Sequence, residues 1–419
     1  MLDSLRSAFK VTELRNKVLF TLMMFLVFRL GVHVPVPGVN VDALQNLLQG
    51  QLFGVFDVIS GGAFRRLSIF AMSITPYINA SIIMSLLQIV IPRLEQLAKE
   101  GESGRKVIAQ YTRYGAVLLG LIQAIGMCVA LGRQGVFINP GVGTYTVAIL
   151  SLTAGTALLM WIGEKITENG IGNGISLIIF AGIVSRLPSG VASMGEQVSA
   201  GVISVGSILL LLALGLLIIA GVVAVNEGQR RISVQYAKRV MGRKVYGGQS
   251  THIPLKVNQA GVIPIIFAMS ILLFPAQIAQ WINHPWARAV ESALSFGTAI
   301  NSVIYFVVII FFTYFYTAIV FNPMDVADNL KKYGGFVPGL RPGRSTGEYI
   351  ARVSSRLTLA GAVFLALIAI LPNFMIAVTG ISTLYFGGTA LLIVVGVALD
   401  TMKQFESYLL MRHYEGFMK

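Results

Sequence analysis

The side chains most able to carry out chemistry are few in this chain, and none stands in a reactive arrangement. Each histidine lacks a carboxylate or cysteine neighbour at the spacing that metal ligands need; the four are His33, His252, His284 and His413. Glu164 and Glu168 are spaced like a general acid and base, but Lys165 lies between them, and a solvated helix end explains them better. The sequence therefore predicts neither a metal site nor an acid/base pair.

A glycine-rich stretch and a single cysteine complete the candidates for chemistry. Residues 170–174 (GIGNG) superficially resemble a dinucleotide loop, yet no strand precedes them and an apolar helix follows. Cys128 is the only cysteine, so no intrachain disulfide is possible, and its apolar surroundings are typical of a small packing residue. We therefore expect no cofactor and no enzymatic activity.

Polar residues inside the long apolar runs leave one alternative open. Ion-coupled carriers place acidic or histidine side chains near the middle of the membrane, and the runs of this chain contain Arg29 and, at one end, Asp400. Uncharged polar residues lie in or beside the second, third and seventh runs: Asn79, Gln88, Gln123, Asn258, Gln259 and Gln277. Hydrogen bonds between helices explain each of them singly. An ion-coupled small-molecule secondary transporter stays the alternative function.

Long apolar runs are the elements that must position these residues. Hydrophobic residues make up 55% of the 419 residues, charged residues make up 12%, and the mean hydropathy is +0.76. These values indicate an integral membrane protein. Ten runs are each about long enough to cross a hydrocarbon core of ~30 Å. The runs are 18–36, 67–91, 114–131, 145–162, 171–187, 202–225, 260–281, 303–321, 357–378 and 384–399.

Lysine and arginine fall in alternate gaps between the runs, and this pattern predicts the topology. With the N-terminus in the cytoplasm, 26 of the 32 Lys and Arg residues lie on the inner side, 5 lie outside, and Arg29 lies within the first run. The opposite orientation would violate the positive-inside rule at nearly every loop. We therefore expect a multi-pass membrane protein with both termini in the cytoplasm.

The runs divide into two halves of five. We expect an N-terminal half at residues 1–187, an external hinge loop at 188–201, a C-terminal half at 202–403 and a cytoplasmic tail at 404–419. Because each half has an odd number of crossings, the second half begins on the opposite side of the membrane from the first. This is what an inverted repeat requires. A plain helical bundle explains the same count.

Two inner loops, at about 226–259 and 322–356, are longer than a connection requires. In the first, residues 231–239 alternate as a strand does, which predicts a basic hairpin. In the second, Asn322-Pro323 predicts a helix start and Gly334-Gly335 predicts its end. Basic residues in these loops can serve for docking, or they can merely fix the topology.

The external segment before the second run has an unusual composition. Residues 60–67 (SGGAFRRL) are too polar for lipid and too apolar for an ordinary loop. Non-helical backbone at membrane depth is tolerated only where protein or a water-filled cavity surrounds it. We therefore expect the segment to fold back into a protein-lined cavity.

Eight stretches of the sequence are specific enough to compare with known families: SGGAFRRLSIFAMSITPYINASI, KEGESGRKVIAQYTRYG, NGIGNGISLIIFAGIV, GQRRISVQYAKR, YGGQSTHIPLKVNQAGVIPIIFA, FNPMDVADNLKK, FVPGLRPGR and YFGGTALLIVVGVALD. Together they resemble the SecY family, the pore subunits of the bacterial Sec translocon. The resemblance runs essentially from end to end. It implies an all-α integral membrane protein with ten transmembrane helices, in two inverted five-helix halves around an hourglass pore, with a re-entrant plug and two long cytoplasmic loops.

The resemblance also implies site residues. The aliphatic ring at the waist of the pore matches Ile74, Ile78, Ile179, Ile183, Ile266 and Ile393. The plug, a short helix in the family, matches about 57–70 and includes Ser60, Gly61, Gly62, Ala63, Phe64, Arg65, Arg66 and Leu67. The lateral gate lies between spans two and three on one side and seven and eight on the other. Its polar candidates are Asn79, Gln88, Gln123, Asn258 and Gln259.

The implied function is a protein-conducting channel that passes unfolded secretory polypeptides across the bacterial plasma membrane and releases transmembrane segments sideways into lipid. The implied partners are the SecE and SecG membrane subunits, the SecA motor ATPase, the ribosome and signal sequences. Basic residues of the two inner loops would dock SecA or ribosomal RNA and protein. They are Arg230, Arg231, Lys238, Arg239, Arg243, Lys244, Arg341 and Arg344.

Overall fold

The structure of the chain is a computed structural model, and helices dominate it. The structure describes residues 11–40, 43–44, 57, 60–201, 204–236, 239–241, 244–246, 250–282, 284–294, 298–379 and 388–416. The helices are α1 (Thr12–Val32), α2 (Thr75–Val90), α3 (Pro92–Lys99), α4 (Glu102–Arg133), α5 (Val142–Asn169), α6 (Gly174–Ser199), α7 (Val205–Glu227), α8 (Ile263–Trp281), α9 (Pro285–Leu294), α10 (Ala299–Val320), α11 (Pro323–Lys332), α12 (Arg344–Thr379) and α13 (Gly388–Gly416). The strands are β1 (Gln229–Tyr236), β2 (Arg239–Met241), β3 (Lys244–Tyr246), β4 (Ser250–Lys256) and β5 (Gly335–Phe336).

A helix overlaps each of the ten predicted spans, because a chain in lipid must satisfy its backbone polar groups within its own helix. In the described part of the chain, six helices are long and apolar enough to cross a membrane. The pair α2 and α3, bent by 101° at its junction, makes a seventh if it counts as one span. The all-α membrane architecture is confirmed, whereas the number ten stays a prediction.

The second span becomes helical later than the sequence predicted. Residues 60–74 are non-helical, and α2 begins only at Thr75, although the predicted span starts at residue 67. Leu67 and Ser73 have φ angles of +38° and +55°, which lie in the left-handed region and interrupt any helix. Backbone hydrogen bonds to the chain that follows α1 replace the helical ones.

Several helices extend beyond the predicted bounds of their spans, among them α6, α12 and α13. α6 continues through Pro188 to Ser199, so most of the predicted external loop 188–201 is helical. α12 begins at Arg344, inside the predicted second inner loop, and α13 continues to Gly416, through most of the predicted tail. An apolar run marks only the part of a helix that crosses hydrocarbon, and polar residues can continue the same helix beyond it.

The predicted basic hairpin is confirmed. β1 pairs antiparallel with β4, and Ile232 pairs with Ile253. Ile232 and Val234 of β1 are buried, whereas Arg231 and Ser233 are exposed. This alternation follows from the two-residue period of a strand.

The two long loops form one folded unit. Asn322 caps α11, because its Oδ1 accepts a hydrogen bond from the Met324 N–H at 3.1 Å, which confirms the predicted helix start. β5 then pairs with β1, with Gln235 opposite Phe336. A shared buried cluster contains Ile232, Val234, Leu255, Val337 and Ile350. Loops that the sequence presents separately therefore share one small core.

The two predicted halves meet along α8 and α13. α8 packs against α2 and α4, and α13 packs against α6. The largest buried cluster contains residues from both halves, so they share one apolar interior. The boundaries of the halves and their inverted relation stay predictions.

Candidate pore constriction, plug segment and docking surface

All six isoleucines predicted for the pore ring lie in the largest buried cluster. Their exposed fractions are Ile74 0%, Ile78 5%, Ile179 2%, Ile183 3%, Ile266 8% and Ile393 2%. They come from the start of α2, from α6, from α8 and from α13, so both halves of the chain contribute. The structure therefore brings together residues that are up to 319 positions apart in the sequence, from 74 to 393.

Local structure places these side chains. The left-handed turn at Ser73 precedes Ile74, which stands at the N-cap of α2, and Ile78 follows one helical turn later. Ile179 and Ile183 are four residues apart on α6 and share one face. Aliphatic side chains offer water no hydrogen bonds, so a narrow ring of them excludes water and ions.

We define the plug segment as residues 57 and 60–70; residues 58 and 59 lie outside the described part of the chain. Residues 60–67 form turns rather than the short helix that the resemblance implied. Gly61 and Gly62 have φ angles of +67° and +89°, which a right-handed helix cannot include. Ser60, Gly61, Ala63, Phe64 and Leu67 are buried, Gly62 is half-buried, and Arg65 and Arg66 are exposed.

The plug segment packs against the same cluster and against α6. Ala63 and Phe70 belong to the cluster that contains the six isoleucines. Gly61 meets the backbone of Gly182, because a Cβ added to Gly61 would lie 2.9 Å from the Gly182 Cα. Gly182 directly precedes Ile183, so the plug segment contacts α6 beside the isoleucine cluster.

Sequence reasoning missed the charged contacts of the plug segment. Oδ2 of the buried Asp57 lies 2.7 Å from Nη2 of Arg186 and 3.6 Å from Nε of Arg65. The Arg65 backbone N–H donates a hydrogen bond to Asp57 Oδ1 at 2.9 Å. Arg29 on α1 donates from Nη1 to the Gly61 carbonyl at 2.9 Å. No local pattern pairs Arg29 or Arg186 with this segment, because both come from other parts of the chain.

The polar residues predicted for the lateral gate lie on three helices or at their ends. Asn79 on α2 and Gln123 on α4 are buried, and neither side-chain amide nitrogen has a hydrogen-bond partner among the described residues. Gln88 is half-buried near the end of α2. Asn258 and Gln259 precede α8, and Asn258 donates to the last turn of α7 at 2.8 Å. The packing of α8 against α2 and α4 is compatible with a lateral gate between these helices. The assignment of the gate residues stays a prediction.

The basic residues predicted for docking lie mostly on the unit formed by the two loops. Arg230 and Arg231 are exposed on β1, and Arg341 is exposed in the turn before α12. Arg344 opens α12, where its Nε lies 2.9 Å from Oε1 of Glu348. Of the other four, Arg239 lies on β2 and Lys244 lies on β3, whereas Lys238 and Arg243 lie outside the described residues. The pairing of β1 with β5 thus joins both predicted docking loops.

The carboxylates considered for acid/base chemistry make structural contacts. Glu164 accepts a hydrogen bond from Nε of Arg113 at 2.6 Å. Glu168 lies 2.7 Å from the Lys165 amine. Within the described ranges, no group of three or more His, Cys, Asp and Glu side chains is placed to hold a metal ion.

Helices long and apolar enough to cross a membrane, and a buried aliphatic interior shared by the two predicted halves, define a multi-pass helical membrane protein. Residues 68–402 match the model of the SecY family. This match, together with a relative that is 50% identical over the full length of both chains, shows that the chain belongs to the SecY family, as its motifs predicted.

Individual relatives extend this result over the whole chain. Protein translocase subunit SecY of Halalkalibacterium halodurans is 50% identical over 434 aligned residues, which cover 100% of both chains. The Pseudomonas aeruginosa protein of the same name is 48% identical over 416 residues, 98% of this chain and 94% of its own. A solved protein-conducting channel has a TM-score of 0.67 at 16% identity, covering 94% of this chain and 92% of that one. Sec61 in the canine ribosome–channel complex has a TM-score of 0.62 at 15% identity, with the same coverage. These structures establish the fold.

Proposed function

We propose that the chain is the channel-forming subunit of a protein translocase and passes unfolded secretory polypeptides across the bacterial plasma membrane. The observation that carries the proposal is that six isoleucines from both halves lie in one buried cluster, which also contains Ala63 and Phe70 of the plug segment. The relatives are themselves protein translocase subunits, which supports a channel rather than an enzyme. They give no support to the alternative of a small-molecule transporter.

The constriction would serve by excluding water rather than by recognising a sequence. Branched aliphatic side chains can move apart around a passing polypeptide and close again behind it. Hydrogen-bond recognition would discriminate between substrates, whereas a secretory channel must accept many sequences. In the resting state, the plug segment would add a second barrier beside this constriction.

The contact of α8 with α2 and α4 is the proposed lateral gate. When it opens, a segment in the pore meets lipid, where Leu, Ile, Phe and Val each favour insertion by ~0.3 to 0.6 kcal/mol and Lys, Arg or Asp cost ~2.5 to 3.5 kcal/mol. The substrate's own composition then selects its route. The side-chain amide nitrogens of Asn79 and Gln123, which have no hydrogen-bond partner among the described residues, lie on the helices of this gate, where entering water or backbone could satisfy them.

The unit that contains β1, β5 and α11 is the proposed cytoplasmic docking surface, with both chain termini on the same side. Exposed Arg230, Arg231 and Arg341 suit acidic patches on the SecA motor ATPase or the phosphates of ribosomal RNA. The ribosome-bound Sec61 structure is a precedent for the second partner. SecE and SecG are the proposed membrane subunits, and the chain carries no nucleotide motif, so a partner must supply the driving force.

Reconstitution into liposomes tests the proposal. The chain with SecE, SecA and ATP is expected to import a signal-bearing precursor into a protease-protected state while excluding labelled sugars and amino acids. Liposomes without the chain, and a precursor without its signal sequence, are the controls. Ion-driven uptake of small solutes without precursor import would overturn the channel proposal in favour of the transporter.

A further inference from the structure

One carboxylate lies among several guanidinium groups where the plug segment meets α1 and α6. The Asp57 side chain is 3% exposed, and Arg186 and Arg65 both approach it. Arg29 reaches the same place, where it donates hydrogen bonds to the Gly61 carbonyl and to Ser185 Oγ. We propose that Asp57, Arg186 and Arg29 form an ionic clasp that holds the plug segment in its closed position, as positioning residues of the closed channel. This inference rests on the proposed function.

The clasp joins three parts of the molecule. Arg186 near the middle of α6 holds the carboxylate of Asp57 at 2.7 Å. Arg29 near the end of α1 holds the plug segment at a second point, the Gly61 carbonyl, and also donates to Ser185 Oγ at 3.0 Å. Because Ser185 adjoins Arg186, the two anchoring arginines belong to one network. Displacing the plug segment must break both contacts.

Charge balance makes the three side chains interdependent. A buried carboxylate is unfavourable without a cation, and Arg186 supplies one. If Asp57 loses its charge, Arg65 and Arg186, which both approach its carboxylate, remain close together with their repulsion no longer offset. If Arg186 loses its charge, the buried carboxylate keeps only the more distant side chain of Arg65 at 3.6 Å. Either loss therefore weakens the closed position.

The closed position also contains unfavourable features that the clasp must offset. Nε of Arg186 is buried without a hydrogen-bond partner among the described residues, and its Nη2 contact with Asp57 is an ion pair without hydrogen-bond alignment. Leu67, at φ +38°, is held in a strained backbone conformation. Movement of the plug segment would relieve both, so the clasp acts as a threshold that an opening signal sequence must overcome.

Resting ion conductance in planar bilayers tests the clasp with the full-length chain and its membrane subunits, without substrate. Asp57→Asn and Arg186→Gln are each expected to raise the conductance about tenfold or more, because each leaves one partner of a buried ion pair without its counter-charge. Arg186→Lys keeps the charge and is expected to stay near the unmodified channel. In the double variant the two effects should not multiply, because both changes break the same pair. Glu168→Gln, which removes an exposed ion pair with Lys165, is the matched control.

The clasp is wrong if Asp57→Asn and Arg186→Gln conduct no more than Glu168→Gln, or if Arg186→Lys leaks as much as Arg186→Gln. Import of a signal-bearing precursor by the same membranes separates this result from the proposed function. If the unmodified channel imports the precursor and the variants do not leak, only the clasp is refuted. If the unmodified channel does not import the precursor, the proposed function is refuted. Ser185→Ala removes only one hydrogen-bond acceptor of Arg29, so it can be measured even if the charge variants do not assemble. We expect Ser185→Ala to raise the resting conductance several-fold. If it does not, the clasp is wrong.

Discussion

Replacing Gly61 with alanine is expected to displace the plug segment without changing any charge. An added Cβ would lie 2.9 Å from the Cα and 3.3 Å from the carbonyl oxygen of Gly182. Both are backbone atoms of α6, so neither can turn aside as a flexible side chain would. Either α6 or the plug segment must therefore move.

Gly62 provides an internal comparison for the size of this effect. Its φ angle of +89° also disfavours alanine, but an added Cβ would meet only Nη1 and Cδ of Arg186, at 3.6 and 3.7 Å. The left-handed conformation costs about 1 to 2 kcal/mol at either position. Overpacking adds about 1 to 3 kcal/mol at Gly61 alone. That difference corresponds to a shift of about 5- to 150-fold between the closed and displaced states.

Resting conductance in planar bilayers measures this difference directly. We expect Gly61→Ala to conduct about 5 to 150 times more than Gly62→Ala, because only the alanine at position 61 overpacks against the backbone of α6. Gly135→Ala is the control for left-handed strain away from the plug segment, because its φ is +73° and no atom lies within 4 Å of an added Cβ. Thermal unfolding in detergent verifies that each variant is folded. Equal conductance of Gly61→Ala and Gly62→Ala would refute the backbone contact as the cause.

Three further predictions concern topology, docking and the constriction. In a cysteine-free chain, Ser345→Cys should react with an impermeant thiol reagent only from the cytoplasmic side and Ser199→Cys only from outside, because both residues are exposed at opposite ends of the predicted spans. Arg341→Glu should slow SecA-driven import severalfold or more without impairing membrane assembly, because it reverses an exposed charge and opens no cavity. Ile78→Asn should raise resting conductance, because a polar group would hydrate the proposed pore ring, whereas Ile125→Asn at a 44% exposed site should not.

Each of these experiments has a result that contradicts its basis. Labelling of either cysteine from the wrong side contradicts the charge-based topology. Import at the unmodified rate by Arg341→Glu removes its docking role, while equal loss of import and of assembled protein indicates a folding defect instead. Equal conductance of Ile78→Asn and Ile125→Asn would leave Ile78 as an ordinary packing residue.

The sequence was sufficient for the class of protein and for most local elements. Long apolar runs locate helices, because a chain in lipid must pair its backbone groups within each helix. The alternation along β1 and the cap at Asn322 are likewise carried by a few adjacent residues. Such patterns lie within short stretches of the sequence, so they predict local structure without knowledge of any tertiary contact.

The ends of the spans depended on context that hydropathy does not contain. α6 continues beyond Pro188, and α12 already begins at Arg344, because helical hydrogen bonding does not stop where the hydrophobic run stops. The apolar segment before Thr75 is the opposite case, since it is hydrophobic enough for a helix yet non-helical. Its left-handed residues and its packing against neighbouring protein decide its conformation.

The sequence alone determined a membrane protein with helices at these runs and a basic hairpin, and the family motifs nominated six isoleucines that are individually indistinguishable from packing residues. Only the tertiary structure decided that those isoleucines belong to one buried cluster, that the two long loops share a sheet, and that Asp57 pairs with Arg186. The energy of such contacts depends on both partners and on how far burial removes them from water. Neither quantity exists until distant segments of the chain have been brought together.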